Sequence, residues 1–115
     1  KRVVTVAGDG EFLMNGQELA TAAQYGATPL VIVMDNQEYG TIRTHQERDY
    51  PGRVSGTQLK NPDFAAMADA FGGYGVRVTE NSQIPAAIEA CYDAIDNEGK
   101  FALIHLIVEQ RKQAY

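Results

Sequence analysis

The chain has 115 residues, enough for one domain with one core, and its 44% apolar and 22% charged residues are those of an ordinary α/β protein. A net charge of −5 and the lack of any basic run argue against a nucleic-acid surface, and no stretch nears the ~20 apolar residues of a membrane span. The one cysteine, Cys91, cannot pair within the chain, which suits a reducing, cytoplasmic setting.

Lys1-Arg2 leads straight into a strand pattern, with no initiating Met and no leader. We expect an N-terminally incomplete piece of something longer, with residues 1–115 as a single domain. Val3 to Ala7 is apolar and β-branched, the pattern of a strand covered on both faces. A turn at Gly8-Asp9-Gly10 follows, then a helix. Asn15 to Glu18 has the spacing of a capping box, which predicts a helix through Leu19, Ala22 and Ala23 to Tyr25. Gly26 and Pro29 end it. Leu30 to Met34 is a second buried strand, closed by Asp35-Asn36.

Gly40 to about Tyr50 is polar and mixed in charge, a short surface helix or an irregular loop. Pro51-Gly52 and Ser55-Gly56-Thr57 are turns. Asn61-Pro62-Asp63 predicts a helix start, with Asn61 as the cap. Phe64, Met67, Ala68 and Phe71 then share one face, and Gly72-Gly73 stops the helix. Tyr74 to Val78 is a strand. Ser82 is the expected cap of the last helix, whose buried stripe is Ile84, Ile88, Cys91 and Ile95. Phe101 to Val108 is the last strand, and Gln110 to Tyr115 a polar tail. Alternating strands and helices imply an α/β three-layer sandwich around a central parallel sheet.

The chemistry concentrates at the first two strand ends, where open parallel sheets bind ligands. From Val3 to Ile42 there is no Lys or Arg, while Asp9, Glu11, Glu18, Asp35 and Glu38 all fall in that span. A Gly-rich turn entering a helix suits a phosphate. No basic side chain in this span neutralises one, and Asp9 would repel it. A hard divalent cation held by Asp9 and the amide oxygen of Asn36 resolves the conflict, as Mg²⁺ does with one or two protein oxygens and ligand phosphates.

Gly8-Asp9-Gly10 followed by Asn36, 27 positions after Asp9, resembles the cofactor motif of the thiamine-diphosphate enzymes. The stretches Phe12 to Ala22 and Asn61 to Ala68 resemble the acetolactate-synthase-like branch, and the similarity covers nearly the whole chain. The resemblance implies the thiamine-diphosphate-binding fold as a fragment of a larger enzyme. It implies Mg²⁺ held by the Asp9 carboxylate, the Asn36 side chain and the main-chain carbonyl of Glu38. It further implies backbone N–H groups of Gly10 and Glu11 at the diphosphate beside Gly8, and Tyr39, Gly40 and Ile42 lining the cofactor pocket. The implied reaction is decarboxylation of a 2-keto acid, followed by protonation, oxidation or addition to a second carbonyl, in a homo-oligomer. The glutamate that activates the aminopyrimidine and the domain that binds that ring lie outside this sequence, so no residue here is assigned as catalytic and the chain alone is expected to be inactive. Asp35 stands where the family usually has a first Asn.

Two other readings remain. One is a non-catalytic remnant of the same fold. The other is an NAD-type dinucleotide-binding unit, with Gly8 and Gly10 as its first glycines and Asp35 as the ribose acid; its third glycine position is Leu13. Glu11 is expected to point to solvent and Glu18 to cap a helix. His45 and the arginines Arg43, Arg48 and Arg53 read as surface groups. His105 reads as a hydrogen-bonded core or edge histidine, and Cys91 as inert core.

Overall fold

The computed structural model describes residues 1–110; the rest of the expected polar tail lies outside the described residues. The order is β1 (Val4–Gly8), α1 (Asp9–Asn15), α2 (Leu19–Tyr25), β2 (Leu30–Asp35), α3 (Gly40–Asp49), α4 (Phe64–Ala70), β3 (Tyr74–Val78), α5 (Ile84–Glu98) and β4 (Ala102–Ile107). The four strands form one parallel sheet in the order β1-β2-β4-β3.

Alternation along the strands makes three layers. Val31, Val33 and Leu103 face Phe12, Leu19, Phe64 and Ala68, so α1, α2 and α4 cover one face. The Phe12 and Phe64 rings meet edge to face at 5.3 Å between centroids. Leu30, Ala102, Ile104 and Val78 face Ala87 and Cys91 of α5 on the other. Cys91 is fully buried, and burial pushes its thiol up to about 11, so it is inert as expected. The described helices include none long and apolar enough to cross a membrane.

The first strand departs from expectation. Val4 is 49% and Val6 61% exposed. The reason is position: β1 is the sheet edge, and α5 packs over β4 and β3 instead.

The helix starts also shift. Helix α1 begins at Asp9 itself, so Gly8-Asp9-Gly10 is a strand end running directly into a helix rather than a separate turn. The capping box at Asn15 does not form. Asn15 makes no capping bond, residues 16–18 form a 3₁₀ turn, and the Glu18 carboxylate accepts from the Thr21 hydroxyl at 2.7 Å. The polar segment after Gly40 is a helix, α3. Asp63, not Asn61, caps α4, accepting from Ala66 N–H at 3.1 Å. Ser82 is not the cap of α5; it lies inside a 3₁₀ turn over Asn81–Gln83, and Gln83 Oε1 accepts from Thr79 and Glu80 N–H. The buried stripe of α5 is centred on Ala87, Cys91 and Ala94, while Ile88 stays 36% exposed. Small residues let this helix lie close to the sheet, which moves Ile88 to the margin.

Gly75 in β3 marks the tightest approach between layers. A Cβ there would collide with the backbone carbonyl of Ala65 in α4, and backbone cannot yield as a side-chain tip does. Gly75→Ala should therefore cost about 1–3 kcal/mol as an overpacked site. Urea unfolding checks this: the midpoint should fall with little change in slope, and an unchanged midpoint would show that the layers give way freely.

Candidate functional site

The sheet register sets up the site. Gly8 pairs with Met34, so Asp9 and Asp35, one residue further on, leave adjacent strand ends together. Val33 pairs with His105 on the next strand. Residues of like parity share a face, so Val33, Asp35 and His105 lie on the face covered by α4. Phe64 of α4 meets the His105 ring at 5.0 Å between centroids.

Asp9 and Asp35 are both only 2% exposed. Two donors hold them side by side. Asn61 Nδ2 lies 2.7 Å from Asp9 Oδ2 and 2.7 Å from Asp35 Oδ1. The N–H of Gln37 donates to the same two oxygens at 2.9 and 3.0 Å. Gln37 does so from a left-handed backbone, φ 60°, a conformation that non-glycine residues keep only when the surroundings impose it. His105 Nε2 sits 2.7 Å from Asp35 Oδ2. An ionised carboxylate only accepts, so this nitrogen carries the proton.

The two acids diverge in pKa. Burial, with help from nearby Asp35, raises Asp9 above the usual carboxylate range despite the bonds from Asn61 and Gly10. Burial also pulls Asp35 upward, but the bonds from His105, Asn61 and Gln37 outweigh it and hold Asp35 below its ordinary value.

A cavity of about 470 Å³ opens beside Asp9. Gly8, Asp9, Gly10, Glu11, Asn36, Glu38, Tyr39, Gly40 and Ile42 all line it, so the structure brings every sequence-predicted site residue to one place. A Cβ at Gly10 would collide with the Tyr39 ring, so any larger residue there forces that ring to shift. Its N–H donates to Asp9 Oδ1 at 2.9 Å. Glu11 is exposed, but its carboxylate does not simply face solvent as expected: it accepts from the Gly8 N–H at 3.0 Å.

The side chain and the backbone of Glu38 are held separately. Its carboxylate is buried and paired with Arg43 at 2.9 Å, which removes Arg43 from the expected set of solvated arginines. Arg48 pairs with Asp49 at the surface, and His45 and Arg53 are exposed as read. The Glu38 backbone faces elsewhere. Gln37 C=O and Tyr39 N–H bond to Leu59 and Thr57, so the N–H and C=O of Glu38 face the opposite way. That N–H reaches Asn36 Oδ1 at 3.3 Å.

Among the described residues no three His, Cys, Asp or Glu side chains converge as a metal cluster. A cation here would rely on one carboxylate with amide and carbonyl oxygens, a hard oxygen set of the kind Mg²⁺ takes. Sequence reasoning missed Asn61, Gln37 and the partnership of Asp35 with His105. The available signal was Asp35 itself, an acid directly after a buried strand, which needs partners.

The family model for the C-terminal TPP-binding domain of thiamine pyrophosphate enzymes matches residues 1–106. Acetolactate synthase isozyme 2 large subunit of Escherichia coli K12 is 33% identical over 98% of this chain and 20% of its own length. An acetolactate synthase large subunit of Parasynechococcus marenigrum is 43% identical over 70% of this chain and 13% of its own length. The chain thus spans a fifth or less of these curated relatives. Among solved structures, the thiamine diphosphate-dependent 4-hydroxybenzoylformate decarboxylase of Rhodococcus jostii RHA1 superposes with a TM-score of 0.86 at 23% identity, over 98% of this chain and 21% of that one. Benzoylformate decarboxylase of Polynucleobacter necessarius gives 0.84 at 23% identity, over 100% and 21%. These two likenesses establish the fold.

Proposed function

The chain belongs to the C-terminal TPP-binding domain family of the thiamine pyrophosphate enzymes, and from that premise we propose that it holds the diphosphate of thiamine diphosphate through Mg²⁺ in a larger enzyme that decarboxylates a 2-keto acid. The observation that supports this most is the division of labour at Glu38. Its carboxylate is tied to Arg43, which leaves its carbonyl as the oxygen to join those of Asp9 and Asn36, and the three residues line one cavity. A cation among them would lift the burden that burial places on ionised Asp9.

In this reading Asp9, Asn36 and the Glu38 carbonyl hold the metal. Backbone N–H groups in the first turn of α1 at Gly10 and Glu11 face the diphosphate, with Gly10 turning from Asp9 Oδ1 to do so. Tyr39, Gly40 and Ile42 form the wall along which the rest of the cofactor lies. Thiamine diphosphate, when bound, supplies the carbon nucleophile and electron sink for decarboxylation. The chain's own part is to bind and orient; the activating glutamate and the pyrimidine-binding domain belong to the rest of the enzyme, which we take to be a cytoplasmic homo-oligomer. The acetolactate synthase relatives favour transfer to a second keto acid as the outcome. A non-catalytic remnant would bind the same cofactor without turnover, and a dinucleotide site would bind NAD instead. Calorimetry with thiamine diphosphate, NAD and Mg²⁺ separates these binding classes.

Three outcomes test the proposal. Asp9→Ala in the full-length enzyme should abolish Mg²⁺-dependent binding of thiamine diphosphate, measured by calorimetry; binding as tight as in the unaltered enzyme would refute the metal bridge. Glu38→Gln should keep most of the metal affinity while Asn36→Leu loses it. An equal loss in both would mean that the Glu38 carboxylate coordinates. Finally, the 115-residue chain with pyruvate, Mg²⁺ and thiamine diphosphate should show no turnover, since orientation by the missing domain supplies up to roughly 7–11 kcal/mol of barrier lowering. Turnover that scales with chain concentration and vanishes in Asp9→Ala would show that the missing glutamate is dispensable.

A further inference from the structure

We propose that Asn61 is a positioning residue: its carboxamide clamps Asp9 and Asp35 together and thereby fixes which Asp9 oxygen is left for a metal. This rests on the reading of Asp9 as a metal ligand given above. Asn61 was expected to cap α4, yet Asp63 does that work and the Asn61 side chain turns to the two acids.

The orientation of its amide is forced. Only the nitrogen end offers hydrogens, two of them, and there are two carboxylate oxygens at 2.7 Å to receive them. The reverse orientation would set Oδ1 against both. The consequence is visible at the other end of the group, where buried Asn61 Oδ1 has no hydrogen-bond partner among the described residues. An unmet buried acceptor is unfavourable, and here it accompanies a nitrogen that two carboxylates require.

The clamp sorts the lone pairs of Asp9. Oδ2 accepts from Asn61 and from Gln37 N–H and is filled. Oδ1 accepts one bond, from Gly10 N–H, and keeps a lone pair. Asp35 cannot swing away to relieve the crowding, because His105 holds its far oxygen at 2.7 Å. Without Asn61 only the Gln37 N–H would stand between the two acids. Asp9 would rotate away from Asp35 and take Oδ1 out of place. A residue acting on a ligand from behind in this way typically changes metal affinity about 10–100-fold when removed.

The test uses Mn²⁺ as a spectroscopic probe for the metal, titrated by electron paramagnetic resonance into the full-length enzyme at saturating thiamine diphosphate. Asn61→Leu should weaken Mn²⁺ binding by about 10–100-fold. Adding Asp35→Asn to Asn61→Leu should recover most of that loss, because the second charge no longer needs to be held off. A merely structural asparagine would not be rescued by removing a charge at position 35. Undiminished Mn²⁺ binding in Asn61→Leu, or no recovery in the folded double variant, overturns the proposal. If Asn61→Leu fails to fold, the double variant decides: folded and binding Mn²⁺ well upholds the clamp, and unfolded or weakly binding overturns it. Asp9→Ala is the control. Mn²⁺ binding that survives Asp9→Ala defeats the metal reading itself, whereas loss in Asp9→Ala with none in Asn61→Leu defeats only the role of Asn61.

Discussion

Two carboxylates buried at one point constrain the whole carboxyl end of the sheet. Asp9 and Asp35 leave neighbouring strand ends, both nearly sealed from solvent, and share the same pair of donors. Like charges cannot stay ionised together in such a place without compensation. The local structure supplies it in several ways at once. Gln37 takes a left-handed backbone to aim its N–H inward, Asn61 gives up a helix cap, and His105 occupies a strand position that would otherwise suit an aliphatic residue.

The topology makes this possible. Because β2 lies between β1 and β4, the strand ends carrying Asp9, Asp35 and His105 converge although the residues are far apart in the chain. Parallel register places Asp35 and His105 on the same face, and α4 seals that face with Phe64 while the loop before it delivers Asn61. The cavity opens on the other flank of Asp9, bounded by the first turn of α1 and the start of α3. A second cavity, of about 410 Å³, lies on the Asp35 side, lined by Asn61, Asp63, Arg77 and His105.

The edge strand shows the opposite situation. Val4 and Val6 are apolar side chains without a covering layer, because α5 lies over β4, β3 and the near side of β2 and stops short of β1. Their β-branched pattern was correctly diagnostic of a strand, but not of its place in the sheet. Strand order is a non-local property, and an edge valine and a central valine look alike in sequence.

Much of the fold and the site was legible. Short apolar, β-branched runs identified the four strands, and Gly26 ended its helix in the left-handed conformation as helix chemistry requires. The cofactor motif picked out nine residues that line one cavity. These features are short-range: each depends on residues adjacent in the chain or one strand–helix–strand unit apart. What the sequence could not disclose depends on who meets whom across longer distances. Asn61 has the local signature of a helix cap and Arg43 that of a surface cation; each is diverted by a buried carboxylate that only the packed sheet and its loops bring within reach. Propensity for a cap or for solvent amounts to about 1 kcal/mol, whereas leaving a buried carboxylate without a partner costs several. The demand of the buried carboxylate prevails, and it exists only once the chain has folded.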